Sequence, residues 1–323
     1  MADDSRGRVS AALLLARGAV AVAITAALLA SCSSGEQARR DPSASASPSA
    51  APRESSGRTP PPSAAPSGRP GDAQAPSVGD ADTLAGQLDR AVTTLRKRDA
   101  TVDEVRKAGE FQQLAVRALA RASHPFRRQV LASLRPATAR ETRAQLTAAD
   151  LLTALTEPRV KFPPWRILEP PQPEVLLAYY REAERLTGVP WTYLAAIHLV
   201  ETRMGRIRGP STAGALGPMQ FMPATWARYG AGGDINDPRD AVLAAARLLK
   251  DHGAPGDMAG ALWHYNPSSR YVGAVTAYAR TMQESASAYR GYWHWQVFCQ
   301  LRRGAYLLPV GYPDVRPVPL PGG

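Results

Sequence analysis

Cysteine is nearly absent: the 323 residues contain only Cys32 and Cys299. A disulfide framework is thereby excluded, and so is a zinc site built on cysteine pairs. The five histidines do not fill the gap, since His252, His264 and His294 stand at no metal-ligand spacing; no metal and no other cofactor is expected. Lysine is scarce as well, with Lys97, Lys107, Lys161 and Lys250 alone, so arginine carries most of the formal net charge of +11. Such a surface favours anionic partners. Helix–turn–helix and RNA-platform signatures are missing too, so no nucleic-acid partner is expected. Long apolar runs are also lacking. The run after Arg17, Ala19 to Ala30, is shorter than the roughly 20 residues that cross a bilayer.

That short run nonetheless carries information. Arg6, Arg8 and Arg17 precede it and small residues end it, the pattern of a secretion signal over 1–31. Leu29-Ala30-Ser31-Cys32 resembles a bacterial lipobox, which implies acylation of Cys32. The chain is then expected to be exported and lipid-anchored to the outer face of the bacterial cytoplasmic membrane. An ordinary cleaved signal with an incidental cysteine is the alternative. If Cys32 is acylated, Cys299 in its apolar context VFCQ has no partner and reads as a buried thiol.

Residues 32–80 are rich in Ser, Ala, Pro, Gly and Arg and almost devoid of large apolar side chains, so they read as a disordered tether. Residues 81–160 read as a basic helical region. LAGQLDRAVTTLRKR and FQQLAVRALARA carry helical stripes, Pro125 and Pro136 punctuate the next stretch, and LTAADLLTALTE gives a further helix. A rigid proline-rich connector, RVKFPPWRILEPPQP, leads into a compact helical series within 161–284. Gly188 reads as a helix C-cap and Pro190 as a first-turn residue. Asp237 and Asp257 read as N-caps, and Gly253 as a stop. Residues 285–323 form an aromatic-rich extension alternating like strands around Arg303-Gly304. No repeat of 20–50 residues stands out, and the fold class is mainly α.

One carboxylate sits where carboxylates rarely sit. Leu194, Ile197, Glu201 and Met204 fall on one helical face, apolar except for Glu201. Lost hydration would raise the pKa of such a glutamate and suit it to general-acid work. The competing reading pairs it with Arg203, Arg206 or Arg208. Further on, GPMQFMPATW places Gln220 among apolar residues between two prolines, and Tyr265-Asn266 closes a helix before Pro267.

The ordered set VETRMGR, GALGPMQFMPATW, GDINDPRDAVLAAARLL and ALWHYN resembles the lytic murein transglycosylases, over roughly 173–284. The resemblance implies a lysozyme-like (goose-type) helical catalytic domain, preceded here by a helical extension and the tether. It makes peptidoglycan glycan strands the substrate and Glu201 the sole catalytic acid. The Gly217–Phe221 loop, with Met219 and Gln220, becomes one wall of the cleft, Gln220 bonding acetamido or hydroxyl groups. Tyr265 and Asn266 come from the opposite side, Tyr265 orienting Glu201 or stabilising its charged form. Thr202 stands where the family usually has serine and keeps the hydroxyl. Pro218 stands where leucine is frequent and removes one backbone donor.

With one acid, the substrate's 2-acetamido group would stabilise the sugar cation, and the muramic C6 hydroxyl would attack C1. A 1,6-anhydromuramic end results. A muramidase of the same fold and a non-cleaving wall-binding scaffold are the rivals. The sequence leaves protein partners, including any for 81–160, unidentified. His198 reads as a core histidine or one coupled to the site. Asp234, Asn236, Asp237 and Asp240 read as capping and turn residues, and Trp191, Trp226 and Trp263 as either sugar-stacking or core.

Overall fold

A computed structural model describes residues 79–321 together with Pro76. Residues 1–31, read as a secretion signal, Cys32 and almost all of 32–80, read as a tether, lie outside the described residues.

Helices dominate the described residues, and their starts follow local chemistry. α1 (Ala81–Arg96) begins at Asp80, whose carboxylate accepts the N–H of Thr83. α2 (Val102–Arg121) opens with a reciprocal Thr101–Glu104 capping box. α3 (His124–Ser133) and α4 (Pro136–Thr153) each carry a proline in the first turn, where the missing N–H costs nothing. These four helices enclose a core that includes Leu84, Leu88, Leu95, Phe111, Val116 and Leu119.

The connector supplies β1 (Arg166–Ile167). α5 (Pro173–Thr187) stops at Gly188, left-handed at φ 80. α6 (Trp191–Thr202) comes next, with Pro190 as its N-cap rather than inside its first turn. β2 (Ile207–Arg208) returns to pair antiparallel with β1. Then come α7 (Pro223–Tyr229), α8 (Pro238–Asp251), α9 (Met258–Tyr265), α10 (Ser269–Glu284) and α11 (Ser287–Trp293). Asp237 caps α8 and Asp257 caps α9, each accepting the N–H three residues on. The chain ends in a sheet ordered β3-β4-β5, from β3 (Val297–Leu301), β4 (Gly304–Leu308) and β5 (Val318–Pro319). β3 and β4 form a hairpin about Arg302-Arg303.

α6 is the axis of the larger core. All 12 of its residues are buried, not only the stripe that the periodicity picks out. A helix apolar on every side belongs inside a domain, and α5, α8, α10 and α11 surround this one.

The flanking segments join that body. α4 lies along α10, and its Ala148 and Leu152 belong to the same core as α6. α2 crosses α11 at Gly109, where a Cβ would meet the Gly291 carbonyl at 2.8 Å. Beside the crossing, Gln113 and Gln296 exchange hydrogen bonds of 2.8 and 2.7 Å. A third cluster joins Trp165, Ile167 and Ile207 to Leu301, Leu308 and Tyr312, so the hairpin packs on the connector. Cys299 is buried there, and burial pushes its thiol up to about 11.

Arg206 locks these parts together from inside. It is 2% exposed, donates to Glu169 at 3.0 Å and to the Trp293 carbonyl at 2.9 Å, and lies 5.2 Å from the Trp293 ring centroid. Arg206→Met should cost about 3 kcal/mol in urea unfolding, because it strands a buried carbonyl and a carboxylate. Glu169→Gln, at a partner 44% exposed, should cost under about 1 kcal/mol.

Candidate active site

Glu201 is the penultimate residue of α6, at the negative end of the helix dipole, which disfavours a carboxylate. It is 2% exposed. Burial raises its pKa from the ordinary 4.5 to about 8, against the smaller, lowering effect of a hydrogen bond from Tyr271. That bond runs from the Tyr271 hydroxyl to Oε1 at 2.7 Å. The arginines that competed for Glu201 in the sequence bond elsewhere. Arg203 donates to the Leu199 carbonyl at 2.8 Å, Arg206 to Glu169 and Trp293, and Arg208 to the Asn236 carbonyl at 3.4 Å. No neighbouring carboxylate contributes to the shift. The second oxygen, Oε2, is buried with no partner. A carboxyl held protonated near neutral pH, anchored by one oxygen and unpartnered at the other, can donate a proton to a ligand that reaches it.

Immediately after Glu201 the chain reverses. Arg203, Met204 and Gly205 take left-handed φ values of 54, 60 and 87, and each of the two non-glycine residues carries strain of about 1–3 kcal/mol. Thr202 stabilises the reversal. Its Oγ1 accepts the N–H of Gly205 at 3.1 Å and donates to the Pro218 carbonyl at 2.6 Å. It is fully buried, so it ties the end of α6 to the loop instead of facing a ligand.

The loop itself is a tight turn closed by reciprocal backbone bonds of 2.8 Å between Leu216 and Phe221. Gly217 has φ 73, and a Cβ there would lie 1.9 Å from the Ile235 carbonyl, so only glycine fits. Three successive carbonyls are clamped by side chains. Gly217 accepts from Gln220 Nε2 at 2.9 Å, Pro218 from Thr202, and Met219 from the Tyr265 hydroxyl at 2.6 Å. This differs from the sequence expectation in three ways. The Gln220 amide N–H is engaged within its own loop, with the backbone at φ 50. The Met219 side chain is fully buried in the core and forms no cleft wall. Phe221 is buried edge-on against Trp226 and Tyr265.

α9 and α10 deliver the aromatic side of the site. Tyr265, last in α9, braces the loop and lies parallel to Tyr271, 6.3 Å between centroids. The phenol that touches Glu201 is Tyr271, in the first turn of α10, not Tyr265. Burial and the nearby carboxyl raise the Tyr271 pKa well above 10, so it remains the donor. Sequence reasoning missed Tyr271. The available signal was its placement one turn inside a helix capped by Ser268, directly after the Tyr265-Asn266 break. Asn266 is 3% exposed, and its Oδ1 is a second buried acceptor without a partner.

Other sequence-flagged residues lie outside this constellation or support it. His198 is fully buried, with Nδ1 2.7 Å from the Tyr180 hydroxyl, and burial lowers its pKa to about 3. It is a neutral core histidine. Asp234 accepts the N–H of Asn236, and Asp240 that of Asp234, which is turn and cap work. Trp191 is buried and Trp226 partly so, whereas Trp263 is 47% exposed. It lies two positions before Tyr265, and so on the far face of α9 from the phenol that braces the loop. Among the described residues no group of three His, Cys, Asp or Glu could hold a metal ion.

Residues 178–287 match the family model of the transglycosylase SLT domain. No curated protein and no solved structure matches the chain. The matched span begins inside α5 and ends at the first residue of α11, so it contains Glu201, the loop, Tyr265, Asn266 and Tyr271.

Glu201 also sets a pH dependence. Its folded pKa exceeds its unfolded one, so between pH 4.5 and about 8 the unfolded chain releases a proton that the folded chain keeps. Stability therefore falls as pH rises through that window. Glu201→Gln removes this slope. In urea unfolding, the variant should gain about 3 kcal/mol over the wild type at neutral pH and almost nothing at pH 4.5. A gain independent of pH would contradict the buried, protonated carboxyl.

Proposed function

We propose that this chain, which carries a lysozyme-like domain of the lytic transglycosylase superfamily over residues 178–287, cleaves the β-1,4 bond between N-acetylmuramic acid and N-acetylglucosamine in peptidoglycan, leaving 1,6-anhydromuramic ends during cell-wall remodelling. Activity on peptidoglycan is the common property of the SLT domain family. The observation that carries the finer reading is the solitary carboxyl. Burial holds Glu201 protonated near neutral pH, its Oε2 is unpartnered, and among the described residues its hydrogen-bond partner is the Tyr271 phenol rather than a carboxylate.

A glycosidase working through two carboxylates needs a second at a defined separation. Substrates bearing an N-acetyl group supply their own assistance and are a recognised exception. In the proposed sequence, Glu201 Oε2 gives its proton to the glycosidic oxygen, and the C1–O bond breaks toward the leaving N-acetylglucosamine. The muramic 2-acetamido group stabilises the cation at C1. Tyr271, donating to Oε1, stabilises the carboxylate formed. That carboxylate takes the proton of the muramic C6 hydroxyl as its oxygen bonds to C1, which regenerates the acid. No water is consumed. Asn266 Oδ1, also buried and unpartnered, would receive a glycan N–H or hydroxyl. The clamped loop would present its backbone and the Gln220 side-chain oxygen as the opposite wall, Gln220 Nε2 being held by the Gly217 carbonyl.

Two experiments test this reading. Digestion of purified peptidoglycan and mass spectrometry of the products should yield anhydro ends; reducing ends would instead identify a muramidase. Glu201→Gln should lower fragment release at least about a thousandfold with the fold intact, and Tyr271→Phe about tenfold. Wild-type release by Glu201→Gln would refute the assignment.

For location, the secretion pattern of 1–31 and the lipobox-like Cys32 support an exported protein, lipid-anchored to the outer face of the cytoplasmic membrane. Cys32→Ala should abolish incorporation of labelled fatty acid into the protein; undiminished labelling would remove the anchor.

A further inference from the structure

A cavity of about 630 Å³ lies away from Glu201, between α2, the start of α3 and the β3-β4-β5 sheet. That volume is in the range of small-molecule sites, which are mostly apolar with a few placed polar groups. Its floor is apolar, with Leu114, Phe126, Phe298, Leu307 and Val318. Arg117 and Arg121, one helical turn apart on α2, also line it.

These two cations lack a counter-charge. Neither enters an ion pair among the described residues. Glu110, the acidic residue of the cavity wall, is already held by Arg106 and Gln296, each at 3.1 Å. Arg117 Nη1 donates to the Pro321 carbonyl at 3.3 Å, while its Nη2 is buried without a partner. Arg121 donates to the Gln300 side chain. Burial, and then the charge of Arg121, lower the Arg117 pKa to about 10. A half-buried Arg117 beside the exposed, like-charged Arg121 over an apolar floor is stabilised by an anion that also brings apolar surface.

We propose that this groove takes an anionic phospholipid, its phosphate on Arg117 and Arg121 and an acyl chain along the apolar floor. The choice of a membrane source rests on the lipid-anchor reading of Cys32 and on Pro76, which lines the same groove and lies on the stretch of chain that leads back to Cys32. A filled groove seats the helical region against the bilayer surface and fixes which way the domain faces.

Vesicle sedimentation tests it, using full-length chains that all carry Cys32→Ala so that acylation contributes nothing. Vesicles of phosphatidylcholine alone are compared with vesicles that also contain phosphatidylglycerol. Arg117→Gln/Arg121→Gln should weaken binding to the phosphatidylglycerol vesicles about tenfold or more. Ala118→Trp, which fills the groove and keeps both charges, should weaken it similarly, and free laurate should compete. Unchanged binding in the double variant overturns the proposal. So does loss in the double variant with full binding by Ala118→Trp, which would mean attraction to the bare surface. Binding of laurate with no effect of either variant on vesicles would assign a free amphiphile instead, and also overturns it. Far-ultraviolet circular dichroism and peptidoglycan digestion should match the parent in both variants, so vesicle binding and glycan cleavage fail independently.

Discussion

Withholding water from one carboxyl group is the constraint on which the domain around α6 depends. Glu201 has no cationic partner, and its one phenol donor offsets only part of the lost hydration. The structure keeps the group neutral instead of neutralising it. This needs a helix buried on every side, which α6 provides by presenting apolar or small residues all round. The strained reversal at Arg203 and Met204 then turns the chain back immediately after the acid, and Oε2 stays buried without a partner. Strain and desolvation together are destabilising, and the large core around α6 offsets them.

Around that group the supporting contacts form a chain of dependence. Thr202, next to Glu201, holds the Pro218 carbonyl; Tyr265 holds the next carbonyl, that of Met219, and lies parallel to Tyr271. Tyr271 returns to Glu201. The acid, the loop and two helices thus position one another through four hydrogen-bonding or stacking contacts, and none of them requires a charged side chain. In a dry site such neutral contacts fix geometry without shifting the acid's proton by several units, as a nearby arginine would.

The SLT match spans 178–287, yet the packing that supports the site does not stop there. α4 runs along α10, the helix that carries Tyr271, and shares its core. α2 meets α11 at the Gly109–Gly291 crossing, and Arg206 joins the connector to Trp293. The N-terminal helices and the final hairpin therefore act as braces. The same α2 that braces the core on one side lines the Arg117–Arg121 groove on another.

Local signals in the sequence determined much of the fold. Capping residues marked Asp237 and Asp257, Gly188 marked the end of α5, and alternation marked a hairpin around Arg303-Gly304, one residue past the turn at Arg302-Arg303, because each depends on hydrogen bonds or steric limits within a few residues. The one polar residue on an apolar stripe marked Glu201 for the same reason. Roles that depend on contacts between distant segments were decided only by the tertiary structure. Tyr271 lies 70 residues from Glu201, and no local pattern distinguishes its phenol from that of Tyr265. Whether the Met219 side chain faces a cleft or the core depends on where α9 and the end of α6 grip the loop. Sequence thus supplied candidate side chains, Glu201 among them and Tyr271 not. Packing decided which of them reach one another, since helical periodicity orients a residue about its own axis but does not say which helix will be opposite.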